Sequence, residues 1–114
     1  MQRGEVWWMA NPPPPARDPG RHMVVLLSWD AGLRVRDRVT VAPLTSRVRH
    51  LDTEVALTRS DGLPHECVVN LDLLATVLVA DLERRVTHLS VAKLAELDRA
   101  AHHALGMPLP CGVR

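Results

Sequence analysis

The stretch Val39-Thr-Val-Ala-Pro-Leu-Thr-Ser-Arg47 constrains the fold of this chain more than any other. Residues Val39 to Ala42 alternate as a β-strand does, and Pro43 then removes one backbone donor from the ladder. A strand interrupted in this way is expected to end, to bulge or to lie at a sheet edge. Thr45, Ser46 and Arg47 are then expected on a sheet rim. A hydroxyl beside a permanent cation there is suited to gripping a phosphate. The same three residues also suit an ordinary strand end, and alone they do not decide between the two.

The surrounding chain reads as short strands followed by one helix. Glu5–Met9 has the β-branched and aromatic content of a first strand. Asn11–Gly20 holds four consecutive prolines and reads as a stiff loop. Met23–Ser28 is continuously apolar and is expected to be a central strand, because both of its faces need burial. Trp29–Gly32 reads as a turn and Arg34–Asp37 as exposed. Further strands are expected at Arg38–Ala42, Thr53–Leu57 and Glu66–Leu71, with a loop at Arg59–Pro64. Ala75–Val79 is read as a short strand or a turn. At the end, Ser90 can cap a helix that places Val91, Leu94, Leu97, Ala101 and Leu105 on one face, and Gly106 and Pro108 stop it. This pattern predicts a mainly β fold, a small barrel-like sheet closed by a C-terminal α-helix.

At 114 residues the chain suffices for one small domain with a true core. Its apolar runs are far shorter than a membrane span. The opening residues lack the basic-then-apolar pattern of a secretory signal, and Cys67 and Cys111 are too few for a disulfide framework. A reduced, cytoplasmic protein is expected. The net charge of +1 hides an asymmetry: residues 1–50 carry eight arginines against four acids, and residues 51–114 six cations against nine acids. A basic half suits phosphate or an acidic protein segment. Thirteen of the fourteen cations are arginine, a bias that a GC-rich genome produces equally well.

No metal site is expected. The adjacent His102 and His103 diverge on a helix, and neither a His-Glu-x-x-His nor a Cys-x-x-Cys spacing occurs. Cys67 lies inside an apolar strand, where a buried, inert thiol is the common case. Gly20-Arg21-His22-Met23 is richer, since a glycine turn delivers Arg21 and His22 to the start of a buried strand. Imidazole can move protons, and a guanidinium can neutralise phosphate charge. In Val68-Val69-Asn70-Leu71-Asp72, alternation sets Asn70 and Asp72 on the face opposite Val69 and Leu71. That pair can order a sugar hydroxyl or a guanidinium, or simply face solvent.

Taken together, Arg3-Gly-Glu-Val-Trp7, Gly20-Arg-His-Met-Val-Val-Leu26, Val39-Thr-Val-Ala-Pro-Leu-Thr45, Glu66-Cys-Val-Val-Asn-Leu-Asp72 and Arg85-Val-Thr-His-Leu-Ser90 resemble the MazF/PemK-like toxins, endoribonucleases of type II toxin–antitoxin modules. The resemblance implies an SH3-like barrel of five to seven strands over residues 1–107, a tail at 108–114, and a homodimer. It also implies metal-independent, sequence-specific cleavage of single-stranded RNA by 2′-hydroxyl attack, with no cofactor. The partner would be a MazE-like antitoxin with an acidic C-terminal segment. The family's hydroxyl falls on Thr45. His22-Met23 stands where the family has Arg-Pro, with Arg21 one residue earlier. Asp72 matches an acidic position, and Leu73 replaces a common asparagine. The implied catalytic set is therefore Arg21, His22, Thr45 and Asp72. The implied RNA contacts are Arg17 in the proline-rich loop, Arg47, Asn70 and Trp8. Two other functions suit the same fold: an antitoxin-binding protein that does not cut, and a gyrase poison like the CcdB toxins. The latter rely on a tryptophan near the C-terminus, which this chain lacks.

Overall fold

A computed structural model describes residues 1–10 and 22–108. It contains β1 (Glu5–Met9), β2 (His22–Leu26), α1 (Asp30–Val35), β3 (Arg38–Thr45), β4 (Glu54–Leu57), β5 (Cys67–Asn70), β6 (Ala75–Leu78), β7 (Leu82–His88) and α2 (Val91–Leu105). Short 3₁₀ turns lie at Arg59–Asp61, Leu71–Leu73 and Val79–Asp81. The strands are antiparallel in the order β4-β5-β3-β2-β1-β7, and β6 is a further partner of β3. The result is a mainly β, barrel-like sheet that stays open between β4 and β7, with α2 packed against it.

Contrary to the sequence expectation, β3 does not stop at Pro43. It runs on to Thr45, with β2 beside it as far as Pro43 in the register Val24↔Pro43, Val25↔Ala42 and Leu26↔Val41. The reason lies on its other side. There β3 pairs with β6 from Arg38 to Val41 and with β5 at Leu44 and Thr45. Thr40 directs its carbonyl to the amide of Leu27 at 2.9 Å and its own amide to Ser28 Oγ at 2.8 Å, both toward the β2 side. Backbone polarity alternates along a strand, so Pro43 directs its missing donor away from β2. That direction is the gap where β6 ends and β5 begins. A proline costs the ladder nothing there.

β2 is buried on both faces, as its continuous apolar run predicts. Met23 and Val25 join Val6, Ala42, Leu44, Val55, Leu57, Val69, Leu71 and Leu97 in one core. Val24 and Leu26 join Met9, Leu33, Val39, Val41, Val77 and Leu82 in the other. Arg3 ties three elements together at the edge of this assembly. Its amide donates to Asp30 Oδ1 at 2.7 Å, its Nε to the carbonyl of Leu27 at 2.9 Å, and its guanidinium pairs with Asp98 of α2.

The helix α2 has the expected ends: Ser90 Oγ accepts the amide of Lys93, and Gly106 closes the helix in the left-handed region at φ 67°. Its buried stripe differs from the expected one. Leu97 and Ala100 are buried and Leu94, Ala101 and Ala104 pack beside them, whereas Val91 is 85% exposed and Leu105 58%. Lys93, the sole lysine, bridges from α2 to the sheet by donating to the carbonyl of Ala56 at 2.8 Å. Two elements are absent from the sequence reading. Residues 30–35 form α1 rather than a turn and exposed link, and Leu82–His88 is a full strand beside β1.

Leu97→Ala removes a fully buried side chain from the centre of the larger core and is expected to lower stability by about 2–5 kcal/mol. Val91→Ala on the same helix should change it by less than about 0.5 kcal/mol. Urea denaturation followed by circular dichroism distinguishes the two.

Candidate active site

Two residues of β3, Thr45 and Pro43, share a sheet face with Val41 and Val39, because side chains alternate. The β2 residues on that face are Val24, Leu26 and His22. The β2–β3 pairing ends at Val24↔Pro43, and alternation leaves His22 and Thr45 two residues beyond it on the same face, where β1 meets His22 through Met9. On the other side Thr45 pairs with Val68, Val68 with Ala56, and Asn70 with Glu54. One face of the β2–β3–β5–β4 region therefore carries His22, Thr45, Asn70 and Glu54 together. The opposite face is the larger core.

The hydroxyl of Thr45 accepts the amide of Arg47 at 3.2 Å. This bond fixes the first turn after the strand and engages a lone pair, leaving the O–H proton to donate outward. Arg47 is exposed beside it. Asn70 is only 8% exposed, and its Oδ1 accepts the amide of Asp72 at 2.9 Å. It is thus the cap of the Leu71–Leu73 turn rather than part of a solvated strand face. The strand ends at Asn70, so Asp72 belongs to this turn and not to the alternating face. Its Oδ2 accepts the hydroxyl of Thr53 at 2.6 Å, and the carbonyl of Thr53 accepts the amide of Leu71 at 2.9 Å. These bonds lock the turn to the segment entering β4.

Glu54 was not singled out by sequence, although it belongs to this face. Its Oε1 accepts the amides of Arg49 at 3.0 Å and Leu51 at 3.5 Å, which bends residues 46–51 back onto the sheet. His50 within that bend adopts φ 57°, unusual for a residue with a side chain. The second oxygen, Oε2, is buried and has no hydrogen-bond partner among the described residues. The weak alternation of Thr53–Leu57 was the available signal, since Val55 and Leu57 in the core force Glu54 and Ala56 outward.

By strand alternation His22, Thr45 and Asn70 share one sheet face, and Asp72 and Arg47 follow directly on the ends of β5 and β3. Trp8 lies on the other face of β1, half-buried against the larger core. Trp7 shares the face of His22 and donates its indole N–H to Glu5 Oε1 at 2.9 Å. Arg17 and Arg21 fall outside the described residues.

The sequence pattern of the PemK-like, MazF-like toxin of type II toxin–antitoxin systems matches residues 2–105. The chain belongs to this family. It is 38% identical over 110 residues to a protein of Mycobacterium tuberculosis named probable endoribonuclease MazF5, covering 96% of this chain and 93% of that one. A second M. tuberculosis protein, probable endoribonuclease MazF2, is also 38% identical over 110 residues, covering 93% of this chain and 99% of its own length. Among solved structures, a mycobacterial endoribonuclease in complex with its cognate antitoxin superposes with a TM-score of 0.82 at 26% identity, covering 96% of this chain and 99% of that chain. The M. tuberculosis toxin MazF-mt6 gives 0.79 at 28% identity, with 92% and 99% covered.

Cys67, at the start of β5, is a buried thiol inside this scaffold as its apolar neighbours predict. Burial, assisted by the charge of Asp61, pushes its pKa above the ordinary thiol value. The folded state therefore favours the protonated thiol, and the stability this adds is present at neutral pH and lost as pH rises through the thiol range. Iodoacetamide at pH 8 should leave Cys67 unmodified in the native protein and alkylate it in urea, as read by peptide mass spectrometry.

Proposed function

We propose that this chain is the toxin of a type II toxin–antitoxin module, a cytoplasmic, homodimeric endoribonuclease that cuts single-stranded RNA at short sequences without metal. An acidic antitoxin segment neutralises it. The observation that carries this reading is that Thr45, its hydroxyl oxygen accepting from Arg47 and its proton left to donate, shares a sheet face with His22. Two relatives of nearly equal length named probable endoribonucleases support it, as does the similarity to a toxin solved with its antitoxin.

In this reading the ribose 2′-oxygen attacks the adjacent phosphorus, and the bond from phosphorus to the 5′-oxygen breaks. The products are a 2′,3′-cyclic phosphate and a 5′-hydroxyl. One proton leaves the 2′-hydroxyl and one is delivered to the 5′-oxygen, work suited to the imidazole of His22. Thr45 donates to a non-bridging oxygen as charge accumulates there. Arg21, one residue before the position where the family has its arginine, is assigned the permanent positive charge. Asp72, held by Thr53, supports the rim, and Arg17 and Arg47 attract the phosphate chain. Selectivity for RNA follows from the nucleophile, which DNA lacks.

Purified protein incubated with long RNA in excess chelator should leave 5′-hydroxyl ends, and Thr45→Val should slow cleavage by about 10²-fold while preserving the fold. Intact RNA at stoichiometric wild-type protein would instead favour an antitoxin-binding protein that does not cut.

A further inference from the structure

Resting on the nuclease reading, we propose that Glu54 is a specificity-determining residue, and that its Oε2 accepts a hydrogen bond from the amino group of an RNA base beside the cleavage site. Oε1 is already occupied by the amides of Arg49 and Leu51, whereas Oε2 is buried without a partner among the described residues. An unpaired buried acceptor is costly, and a bound ligand is one of the things that supply the missing donor. Glu54 pairs with Asn70 on the sheet face that also holds Thr45, with β5 between the two strands. Glu54 therefore lies on the face that a ligand using Thr45 would cover.

The chemistry of the donor follows from that of the acceptor. A carboxylate accepts and does not donate, and it repels phosphate, so only N–H or O–H groups of RNA suit it. Adenine, cytosine and guanine each display an exocyclic amino group. Uracil presents a single N–H flanked by two carbonyl oxygens, which the carboxylate repels. A ribose hydroxyl stays tied to its phosphate and cannot enter a shielded site without bringing that charge along, whereas a planar base can. Uracil is therefore rejected at this position, and adenine, cytosine or guanine is accepted. The same carboxylate holds residues 46–51, which lead directly from Thr45, so a base that draws on Oε2 also sets the segment beside the reactive hydroxyl.

Glu54→Gln is the decisive variant, because it keeps Oε1 for Arg49 and Leu51 and replaces the free acceptor with a donor. A randomised RNA pool is cut by each protein, and the 5′-hydroxyl ends are sequenced. The wild type is expected to cut sites carrying uracil at one fixed position roughly tenfold or more slowly than sites with an amino-bearing base there. In Glu54→Gln that preference should vanish or turn toward uracil. An unchanged motif in the variant overturns the assignment. Binding of 2′-deoxy-substituted, uncleavable oligonucleotides to both proteins provides a second readout. Should Glu54→Gln fail to cut while keeping the same base preference in binding, the assignment is again overturned. A dependence on the ribose hydroxyl instead of the base has the same consequence. If the wild type cuts nothing and binds no oligonucleotide, the nuclease reading itself fails. If it binds without cutting, the base preference still tests Glu54 alone.

Discussion

The path of β3 past Pro43 is the constraint on which the rest of the molecule depends. One strand serves two partners in succession on the same side, β6 first and β5 after, while β2 pairs with its other side from Val41 to Pro43. The handover leaves a place in the ladder where no donor is required, and proline occupies it. A residue with a free N–H at this point would need a partner that neither neighbour supplies. The switch lets the sheet change direction without a break in the chain, so that β4 and β5 fold back over the core beneath α2.

That geometry decides which side chains meet. Because β3 stays a regular strand to its end, its alternation remains in phase with β2, and Thr45 inherits the face of His22. Because β5 joins only at Leu44 and Thr45, Asn70 and Glu54 arrive on the same face one step further out. The turn after β5 then depends on Asn70, whose carboxamide caps it, and on the pairing of Thr53 with Asp72. The polar residues of the site are thus also joints of the scaffold. Substituting them disturbs local structure and chemistry together, and for this reason isosteric changes are the informative ones.

Features governed by local chemistry were legible in the sequence. β2 announced itself by burial on both faces, and α2 by a serine cap and a terminal glycine. Features governed by partners were not. Pro43 reads as a strand terminator unless the exchange of β6 for β5 is known. α1 is a short helix whose single acidic first-turn residue, Asp30, is held by the amide of Arg3, 27 residues away in sequence. β7 is largely exposed, and its Glu83, Arg84 and Arg85 gave no apolar alternation to detect. Val91 and Leu105 matched the helical period, yet the sheet beneath α2 meets Leu97 and Ala100, and the ends of the helix extend beyond it. Glu54 stayed unnoticed because an acidic residue in a weak strand is ordinary; its unpaired oxygen is a fact of three dimensions.

The replacement of Arg-Pro by His22-Met23 becomes clearer once faces are assigned. Met23 is buried in the larger core beside Val25, and a side chain at this position serves packing. The preceding position shares a sheet face with Thr45, and here it carries imidazole. A guanidinium is a permanent charge with a rigid fork of donors, whereas an imidazole both accepts and donates a proton. In the proposed function a histidine at this point suits proton movement on the sheet, and charge neutralisation falls to arginine. A strand continued back to Arg21 would turn that side chain to the opposite face. Arg21 can share the face of Thr45 only where the backbone before β2 departs from strand geometry, as a Gly20-Arg21 junction permits.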